Sequence, residues 1–260
     1  MSNLSVNTIT DASGGSTASI NGLTPQASNM QPHNLIINGA MTVAQRGTSA
    51  TVSDGSNEGY STLDRWFLTF NSTIGGAVSF SQSTDAPDGF SKSMKVQCST
   101  VDTSHTTNQY ISVVQRIEAQ DLQHLAYGTS SAKSMILSWR MKSATYSGPI
   151  TVALQTQDGT LEYFVKSYTP TTSWAEYTCV IPPSTSATIN SDNGEGLRVS
   201  FVLAGDSGSS IAASSDSTEW STTRADYRSD VGNIVSNTSN EFYITGVQLE
   251  AGSTASSFAY

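Results

Sequence analysis

The stretch ITVALQTQDGTLEYFVKSYT, residues 150–169, decides the fold class of this 260-residue chain. Two runs rich in β-branched and aromatic residues flank the dipeptide Asp158-Gly159, and such residues are enriched in strands. Asp-Gly between two alternating runs is the strongest short-range signal for a β-hairpin. We therefore predict two antiparallel strands joined by a tight turn, and the same pattern extends outward along the chain.

Strand patterns continue on both sides of this hairpin. AKSMILSWRMK (132–142) places every second side chain, from Met135 to Met141, on one apolar face, which is typical of a half-buried strand. WAEYTCVIP (174–182) alternates in the same way. Further patterns are NLIIN (34–38), DRWFLTF (64–70), AVSFSQ (77–82), SMKVQC (93–98), RVSFVLA (198–204) and FYITGVQLE (242–250). About ten antiparallel strands with turn residues between them predict an all-β protein, a β sandwich of jelly-roll type.

Two local features refine this prediction. Gly75-Gly76 lies between two strand patterns and predicts a second hairpin. RIEAQDLQHLAYG (116–128) has Ile117, Leu122 and Leu125 near helical spacing and ends at Gly128, a favoured residue at helix C-termini. We therefore expect one short helix between two strands. The aromatic residues inside strand patterns are interpreted as core: Trp66, Phe67, Trp139, Trp174 and Tyr177.

Composition excludes several classes of partner. The net charge is −9, and the 12 Lys and Arg residues are scattered singly. Binding to nucleic acid or to anionic lipid needs clustered cations, so we expect neither. The N-terminus lacks the basic and apolar regions of a secretory signal, and no apolar run is long enough to span a membrane. We expect the protein to fold in the cytoplasm of the cell that makes it, without membrane insertion.

Catalytic and metal-binding patterns are missing from the sequence. Cys98 and Cys179 lie in separate apolar runs and are predicted to be buried thiols, although a disulfide stays open. No histidine among His33, His105 and His124 has a base or metal partner nearby in sequence. We therefore predict a non-enzymatic protein without cofactor or metal. A glycosidase with paired carboxylates stays a minor alternative, because acidic residues lie in or near strands: Asp64, Glu118, Glu162, Glu176 and Glu250.

Residues 1–32 differ in composition from residues 33–260. The segment is polar and rich in Gly and Ser, and it has too few apolar residues to bury a core. Two interpretations stay open: a flexible tail, or an extended segment ordered by pairing with copies of itself or with another protein. We therefore predict an extended N-terminal segment and linker over 1–32 and one sandwich domain over 33–260.

The stretch from Gly205 to Asn240 is too long for a hairpin connection. Loops of this length in compact domains are usually functional or disordered. Trp220, Arg224, Tyr227 and Arg228 stand out against its Ser-rich background and are the candidate ligand-binding residues. An exposed aromatic ring there offers a stacking face to a sugar or a partner protein. The alternative is that these rings fold back as a lid over the sandwich.

Three stretches resemble a family of phage tail-fibre and appendage proteins. NLIINGAMTVAQRGTS (34–49) is similar to that family's opening strand and turn, and YSTLDRWFL (60–68) is similar to its Tyr…Asp-Arg-Trp signature. FYITGVQLEAGSTASSFAY (242–260) is similar to its closing strand and tail. The resemblance covers residues 34–260. In addition, LSVNTITDASGG (4–15) is similar to the virion-attachment segments that begin many phage fibres.

The resemblance implies a jelly-roll body related to carbohydrate-binding modules, assembled as a homotrimer on the virion. It implies that residues 1–32 bind other virion proteins and that the body recognises a host surface polysaccharide. The same fold occurs in head-decoration proteins and in free-standing carbohydrate-binding modules, which are the alternatives. Related modules hold a structural calcium between their terminal strands. Here Ala40 stands where an acidic ligand would often follow Asn38-Gly39, which leaves Glu250 as the lone candidate ligand.

Overall fold

The computed structural model describes residues 34–54, 56–71 and 74–260. The predicted attachment segment, residues 1–32, lies outside these ranges. The described chain forms thirteen strands: β1 Ser49–Ser53, β2 Phe67–Asn71, β3 Ala77–Ser83, β4 Ser93–Thr100, β5 Tyr110–Glu118, β6 Met135–Lys142, β7 Ile150–Thr156, β8 Tyr163–Tyr168, β9 Ala175–Ile181, β10 Glu195–Gly205, β11 Ala212–Ala213, β12 Tyr227–Arg228 and β13 Glu241–Ala251. Two 3₁₀ helices, Ala119–Leu125 and Ile234–Ser236, complete the described elements.

Two antiparallel sheets form the sandwich. One has six strands in the order β1-β3-β4-β13-β6-β9, and the other has five in the order β2-β5-β10-β7-β8. The chain repeatedly crosses from one sheet to the other, as in jelly rolls. A short parallel pair, β11 and β12, lies apart from both sheets. The predicted all-β jelly-roll sandwich is confirmed.

Large aromatic side chains fill the space between the sheets. The Trp139 ring of β6 stacks on Tyr177 of β9 with centroids 5.8 Å apart, and it meets the ring edge of Tyr168 of β8 at 4.8 Å. Trp66 and Phe201 are also fully buried. The apolar face predicted from Met135 to Met141 is buried at all four positions. This period-two pattern therefore identified the core side of β6 correctly.

The two hairpin predictions have different outcomes. β7 and β8 pair antiparallel around Asp158-Gly159, with Leu154 opposite Phe164, as predicted, but a six-residue connection (157–162) joins them instead of a tight turn. The hairpin at Gly75-Gly76 is wrong, because β2 pairs with β5 in the five-stranded sheet and β3 pairs with β1 and β4 in the six-stranded sheet. A Cβ on Gly76 would lie 2.9 Å from Val235 Cγ2. The glycine there permits a close approach to the second 3₁₀ helix rather than a tight turn.

The predicted short helix is present but begins and ends elsewhere. It is the 3₁₀ helix Ala119–Leu125, and Ile117 belongs to β5 instead. Leu122 and Leu125 are buried as their spacing predicts. The left-handed C-cap is Ala126, at φ 52°, rather than Gly128.

NLIIN, predicted as the opening strand, forms a bend and a turn instead. Leu35 makes one backbone hydrogen bond to β13, donating to the carbonyl of Leu249 at 2.9 Å. The chain then turns at Asn38, whose φ of 59° is left-handed. Asn tolerates this conformation better than most residues because its side chain can bond to nearby backbone. Asn38 Nδ2 donates to the carbonyls of Val43 and Asp64, each at 2.9 Å.

This turn also packs directly on the closing strand. A Cβ on Gly39 would lie 2.0 Å from the carbonyl oxygen of Val247, so only glycine fits at this position. Trp66 Nε1 donates to the carbonyl of Asn38 at 3.1 Å. The three stretches that carry the family resemblance therefore meet at one place, where they join the chain's opening turn to β13.

The two thiols are buried and unpaired. Cys98 lies on β4 and Cys179 on β9, at separate positions of the six-stranded sheet. Burial raises the pKa of each thiol. In the described part of the chain, no helix is long and apolar enough to cross a membrane.

Candidate functional site

A cleft of about 200 Å³ runs across the outer face of the five-stranded sheet. Its floor comes from β5 and β10, whose alternate side chains face the core and the cleft. Leu197, Val199 and Phe201 of β10 point into the core and are buried. The cleft side of the two strands carries Ser112, Val114 and Arg116 opposite Val202, Ser200 and Arg198.

The sides of the cleft combine aromatic and polar residues. β2 contributes Phe67, Thr69 and Asn71 on one side. Gln155 of β7 and Tyr163 of β8 lie on the other side. The segment from Gly205 to Asn240 adds a wall that contains Ala225 and Asp226. Aromatic surface and hydrogen-bonding groups therefore face the same space.

Two arginines lie opposite each other on the cleft floor. Arg198 binds Glu195 through two hydrogen bonds, from Nε to Oε1 at 2.8 Å and from Nη2 to Oε2 at 3.1 Å. Arg116 Nε lies 3.5 Å from Glu195 Oε2, which is a weaker contact. The Arg116 guanidinium carbon lies 4.5 Å from the centre of the Phe67 ring, within the range of a cation–π interaction. One carboxylate therefore serves two guanidinium groups.

Tyr110 lies half-buried at one end of the cleft. Burial, assisted by the negative charge of Asp226, raises the pKa of its hydroxyl to about 12. The hydroxyl therefore stays protonated at physiological pH and can donate a hydrogen bond. Asp226 accepts from Arg224 Nη2 at 2.6 Å. Among the described residues that line this cleft, Asp226 is the only carboxylate.

Two of the four predicted ligand-binding residues fold back onto the sandwich. Trp220 is half-buried, and its Nε1 donates to the carbonyl of Pro182 at 2.8 Å. Its ring contacts Tyr127 and Phe164 at centroid distances of 6.0 and 5.9 Å. Tyr227 is fully buried, so its ring has no free stacking face. The structure thus favours the lid alternative for both rings.

The two predicted arginines differ in exposure. Arg228 is buried and donates to the carbonyl of Ala213 at 2.6 Å, and its Nε pairs with Asp216 at 2.9 Å. These contacts hold the long segment together internally. Arg224 is exposed and pairs with Asp226, which lines the cleft. Ligand binding by these four residues stays a prediction.

Sequence reasoning missed the cleft residues on strands. The best examples are Tyr110, Arg116, Gln155 and Arg198, which no motif marks. A signal was present, because Arg116 and Arg198 each occupy the polar phase of an alternating strand pattern. The alternation within one strand does not show which other strand will pair with it. Phe67, interpreted as core, lies on the cleft side and is only half-buried.

Two of the five carboxylates named for the glycosidase alternative, Glu162 and Glu250, are buried. Glu162 accepts from the hydroxyls of Ser184 and Ser186 at 2.6 and 2.5 Å. Glu250, the lone candidate calcium ligand, accepts from Gln248 Nε2 at 2.8 Å and from Ser256 Oγ at 2.5 Å. Protein donors therefore satisfy both groups. Within the described ranges, no three His, Cys, Asp or Glu side chains are grouped to hold a metal ion.

Comparisons with known proteins give weak structural matches. No protein-family model matches the chain, and no curated sequence matches it. The enzymatically active domain of bacteriophage CBA120 tailspike protein 4 is 13% identical with a TM-score of 0.42, over 84% of this chain and 21% of that one. This chain thus spans about a fifth of the tailspike chain.

Two other solved structures are carbohydrate-binding modules. The family 11 module from Clostridium thermocellum, in complex with a β-1,3-1,4-mixed-linked tetrasaccharide, is 14% identical with a TM-score of 0.40, over 81% of this chain and 99% of that one. The tandem CBM22 domain from Paenibacillus barcinonensis Xyn10C is 15% identical with a TM-score of 0.38, over 72% and 46%. Similarities this low carry no function to this chain. Any function proposed for this chain therefore has to be argued from the geometry of its own cleft.

Proposed function

We propose that this chain is a non-enzymatic glycan-binding protein and that it binds a polysaccharide in the cleft of the five-stranded sheet. The observation that carries the proposal is the cleft itself. It places the half-buried rings of Phe67 and Tyr110 beside a floor that carries polar side chains, with the buried Tyr163 behind the opposite side. A cleft with aromatic sides and a few convergent polar groups is the usual form of a small-ligand site.

Sugar chemistry matches these two kinds of surface. A pyranose ring has an apolar face of C–H groups that packs on aromatic rings, and its hydroxyls need hydrogen-bond partners when they leave water. Gln155 and Asn71 supply amide donors and acceptors at opposite sides of the cleft. The protonated Tyr110 hydroxyl adds a further donor.

The carboxylates of the cleft support the proposal of binding without cleavage. Most glycosidases use two carboxyl groups on either side of the scissile bond. Asp226 lines the cleft without a second carboxylate among the described lining residues, and its charge is compensated by Arg224. Incubation with the bound polysaccharide should release no reducing ends, and release of reducing ends would contradict this part of the proposal.

Calorimetry with a panel of bacterial and plant polysaccharides tests the binding. Tyr110→Ala should lower the affinity about tenfold, because the variant loses a ring and a donor, together about 1.4 kcal/mol. Tyr243→Ala is the matched control, since Tyr243 lies on the six-stranded sheet. Equal affinities for both variants and the unaltered protein would contradict the cleft as the binding site.

We further propose a position on a phage virion, as a tail fibre or similar surface appendage. The support is the resemblance of residues 34–49, 60–68 and 242–260 to the phage appendage family. Residues 1–32 would bind other virion proteins, and the jelly-roll body would assemble as a homotrimer. Deleting residues 1–32 should leave the body folded and glycan-binding but absent from particles.

Normal incorporation of the truncated protein into particles would count against this docking role. Detection of the protein on phage heads rather than tails would favour the head-decoration alternative. A protein that binds glycan but never copurifies with particles would be a free-standing carbohydrate-binding module. Mass measurement with and without residues 1–32 tests the trimer directly.

A further inference from the structure

The charge inside the cleft is opposite to that of the whole protein. The chain carries a net charge of −9, with seven arginines among its 12 basic residues. Two of these arginines, Arg116 and Arg198, occupy paired positions on adjacent strands of the cleft floor. Like charges directly opposite each other destabilise a sheet. Glu195 compensates one of the two charges, and Arg224 compensates Asp226. The cleft therefore keeps one uncompensated positive charge.

The uncompensated charge belongs to Arg116. Arg198 engages both oxygens of Glu195 and also lies within 3.4 Å of Gln157 Oε1. Arg116 Nε is itself buried and has no hydrogen-bond partner among the described residues, with Glu195 Oε2 3.5 Å away, whereas 41% of the side chain as a whole is exposed. The ring of Phe67 holds the guanidinium by a cation–π contact without using its N–H donors. Arg116 is thus held in place, and a ligand would reach it at the exposed part of the side chain and not at the buried Nε.

From this we propose that the ligand of the cleft is an acidic polysaccharide and that a sugar carboxylate binds the guanidinium of Arg116. This inference rests on the proposed glycan-binding function and names the class of glycan. A guanidinium presents parallel N–H groups that match the two oxygens of a carboxylate. The neighbouring aromatic and amide groups would contact the sugar ring that carries the carboxylate. A uronic acid carries both the carboxylate and the sugar ring in one monosaccharide.

A nucleic acid fits the same cleft poorly. Its phosphates need several clustered cations, and its binding weakens steeply with salt. Here one positive charge lies in a protein of strongly negative net charge. An acidic polysaccharide would place one sugar carboxylate against the one uncompensated guanidinium, so that binding involves a single charge contact. We therefore expect a modest dependence of affinity on salt.

The test compares polymers that differ only in their carboxylates. Polygalacturonate, alginate and hyaluronate are each prepared in native and carboxyl-reduced form, so that backbone and linkage stay the same while the charge is removed. Calorimetry with the full chain should show binding of at least one native polymer, weakened tenfold or more on carboxyl reduction. Carboxyl reduction removes the charge-assisted hydrogen bond to Arg116, and the loss of one such bond accounts for a change of this size.

Two variants locate the effect. Arg116→Ala should lower the affinity for the native polymer tenfold or more. It should leave the affinity for the carboxyl-reduced polymer unchanged. Arg140→Ala is the matched control, because Arg140 of the six-stranded sheet also pairs with a glutamate, Glu176, and also lies over a ring, that of Phe90. It should bind like the unaltered protein. Arg116→Lys should retain part of the affinity, since lysine keeps the positive charge but lacks the parallel N–H groups of a guanidinium.

The outcomes separate this inference from the proposed function. Equal affinities for native and carboxyl-reduced polymers would overturn the proposal of an acidic ligand. An equal effect of Arg116→Ala and Arg140→Ala on affinity would also overturn it. Binding of neutral glucans or xylans alone, lost in Tyr110→Ala, would overturn the acidic ligand and leave glycan binding in place. If no polymer binds, the acidic ligand and the proposed function both fall.

Discussion

Tyr227 offers a sharp test of how the long segment from Gly205 to Asn240 is packed. Its ring is fully buried in a small second core on the outer side of the five-stranded sheet, together with Val165 and Val202. Its hydroxyl donates to the carbonyl of Asp206 at 3.1 Å. A Cβ on Gly205 would lie 2.7 Å from the ring, which shows how closely the backbone approaches it. The segment is therefore a packed layer rather than a free loop.

The cost of removing this ring can be worked from its burial. Truncation of a buried aromatic residue to alanine costs about 3–5 kcal/mol. For a chain of this size, that loss lowers the melting temperature by about 10 °C. Tyr227→Phe keeps the ring and removes one hydrogen bond, which costs about 1 kcal/mol, or about 3 °C.

Thermal unfolding and limited proteolysis together measure this effect. If the segment detaches before the sandwich unfolds, Tyr227→Ala should increase cleavage within residues 206–231 even where the main transition moves little. Thr222→Ala, at an exposed position of the same segment, is the control and should change neither measurement. The reasoning is refuted if Tyr227→Ala leaves stability and proteolysis unchanged while the affinity for polysaccharide falls. The Tyr227 ring would then be a ligand-binding group at the surface and not part of a core.

Three further predictions follow from close contacts, ionisation and thiol burial. Gly39→Ala places a Cβ 2.0 Å from the Val247 carbonyl oxygen and should cost about 1–3 kcal/mol in denaturant unfolding. Gly208→Ala, where the nearest atom is 3.6 Å away, should cost far less, and equal losses would contradict the packing. The hydrogen bond from Lys142 holds the pKa of Asp85 below its ordinary value of 3.8, so its stabilisation is present at neutral pH and lost as pH falls through the folded-state pKa. Asp85→Asn should thus lower stability at pH 7 by less than about 1 kcal/mol, since the pair is partly exposed, and a difference that persists at pH 2 would refute this cause. Cys98 and Cys179 should react with a thiol reagent only after denaturation, because both are buried, and rapid labelling of the native protein would disagree with the structure.

The elements that sequence predicted well are those set by local pattern. Alternation in β6 identified its buried face, and Asp158-Gly159 identified the β7–β8 hairpin. In the β9 pattern, Tyr177 packs against the core as interpreted, whereas Trp174, also interpreted as core, lies outside it and donates to Asp85. The β6 and hairpin signals both depend on residues close together in the chain. The failed hairpin at Gly75-Gly76 depended on the same type of signal, but there the glycine meets Val235, about 160 positions away. A contact at that separation leaves no local pattern.

The candidate site was hard to predict for a related reason. A strand pattern reports which side chains share a face, but not which strand lies alongside. Arg116 and Arg198 are 82 positions apart and become neighbours only because β5 pairs with β10. The long segment attracted attention through its composition instead. Its Trp220 and Tyr227 are unusual there because they anchor the segment to the sandwich.

The residues that carry the family resemblance and the residues that form the cleft are two separate sets. Asn38, Gly39, Trp66 and Val247 join the opening turn to the closing strand through backbone and indole hydrogen bonds, and a change at any of them disturbs the fold. The cleft residues are side chains on an outer sheet face, where substitution alters the surface and leaves the core between the sheets intact. A resemblance built on the first set therefore predicts the jelly roll, whereas the proposed glycan ligand is tested by changes at Arg116 and its neighbours in the cleft.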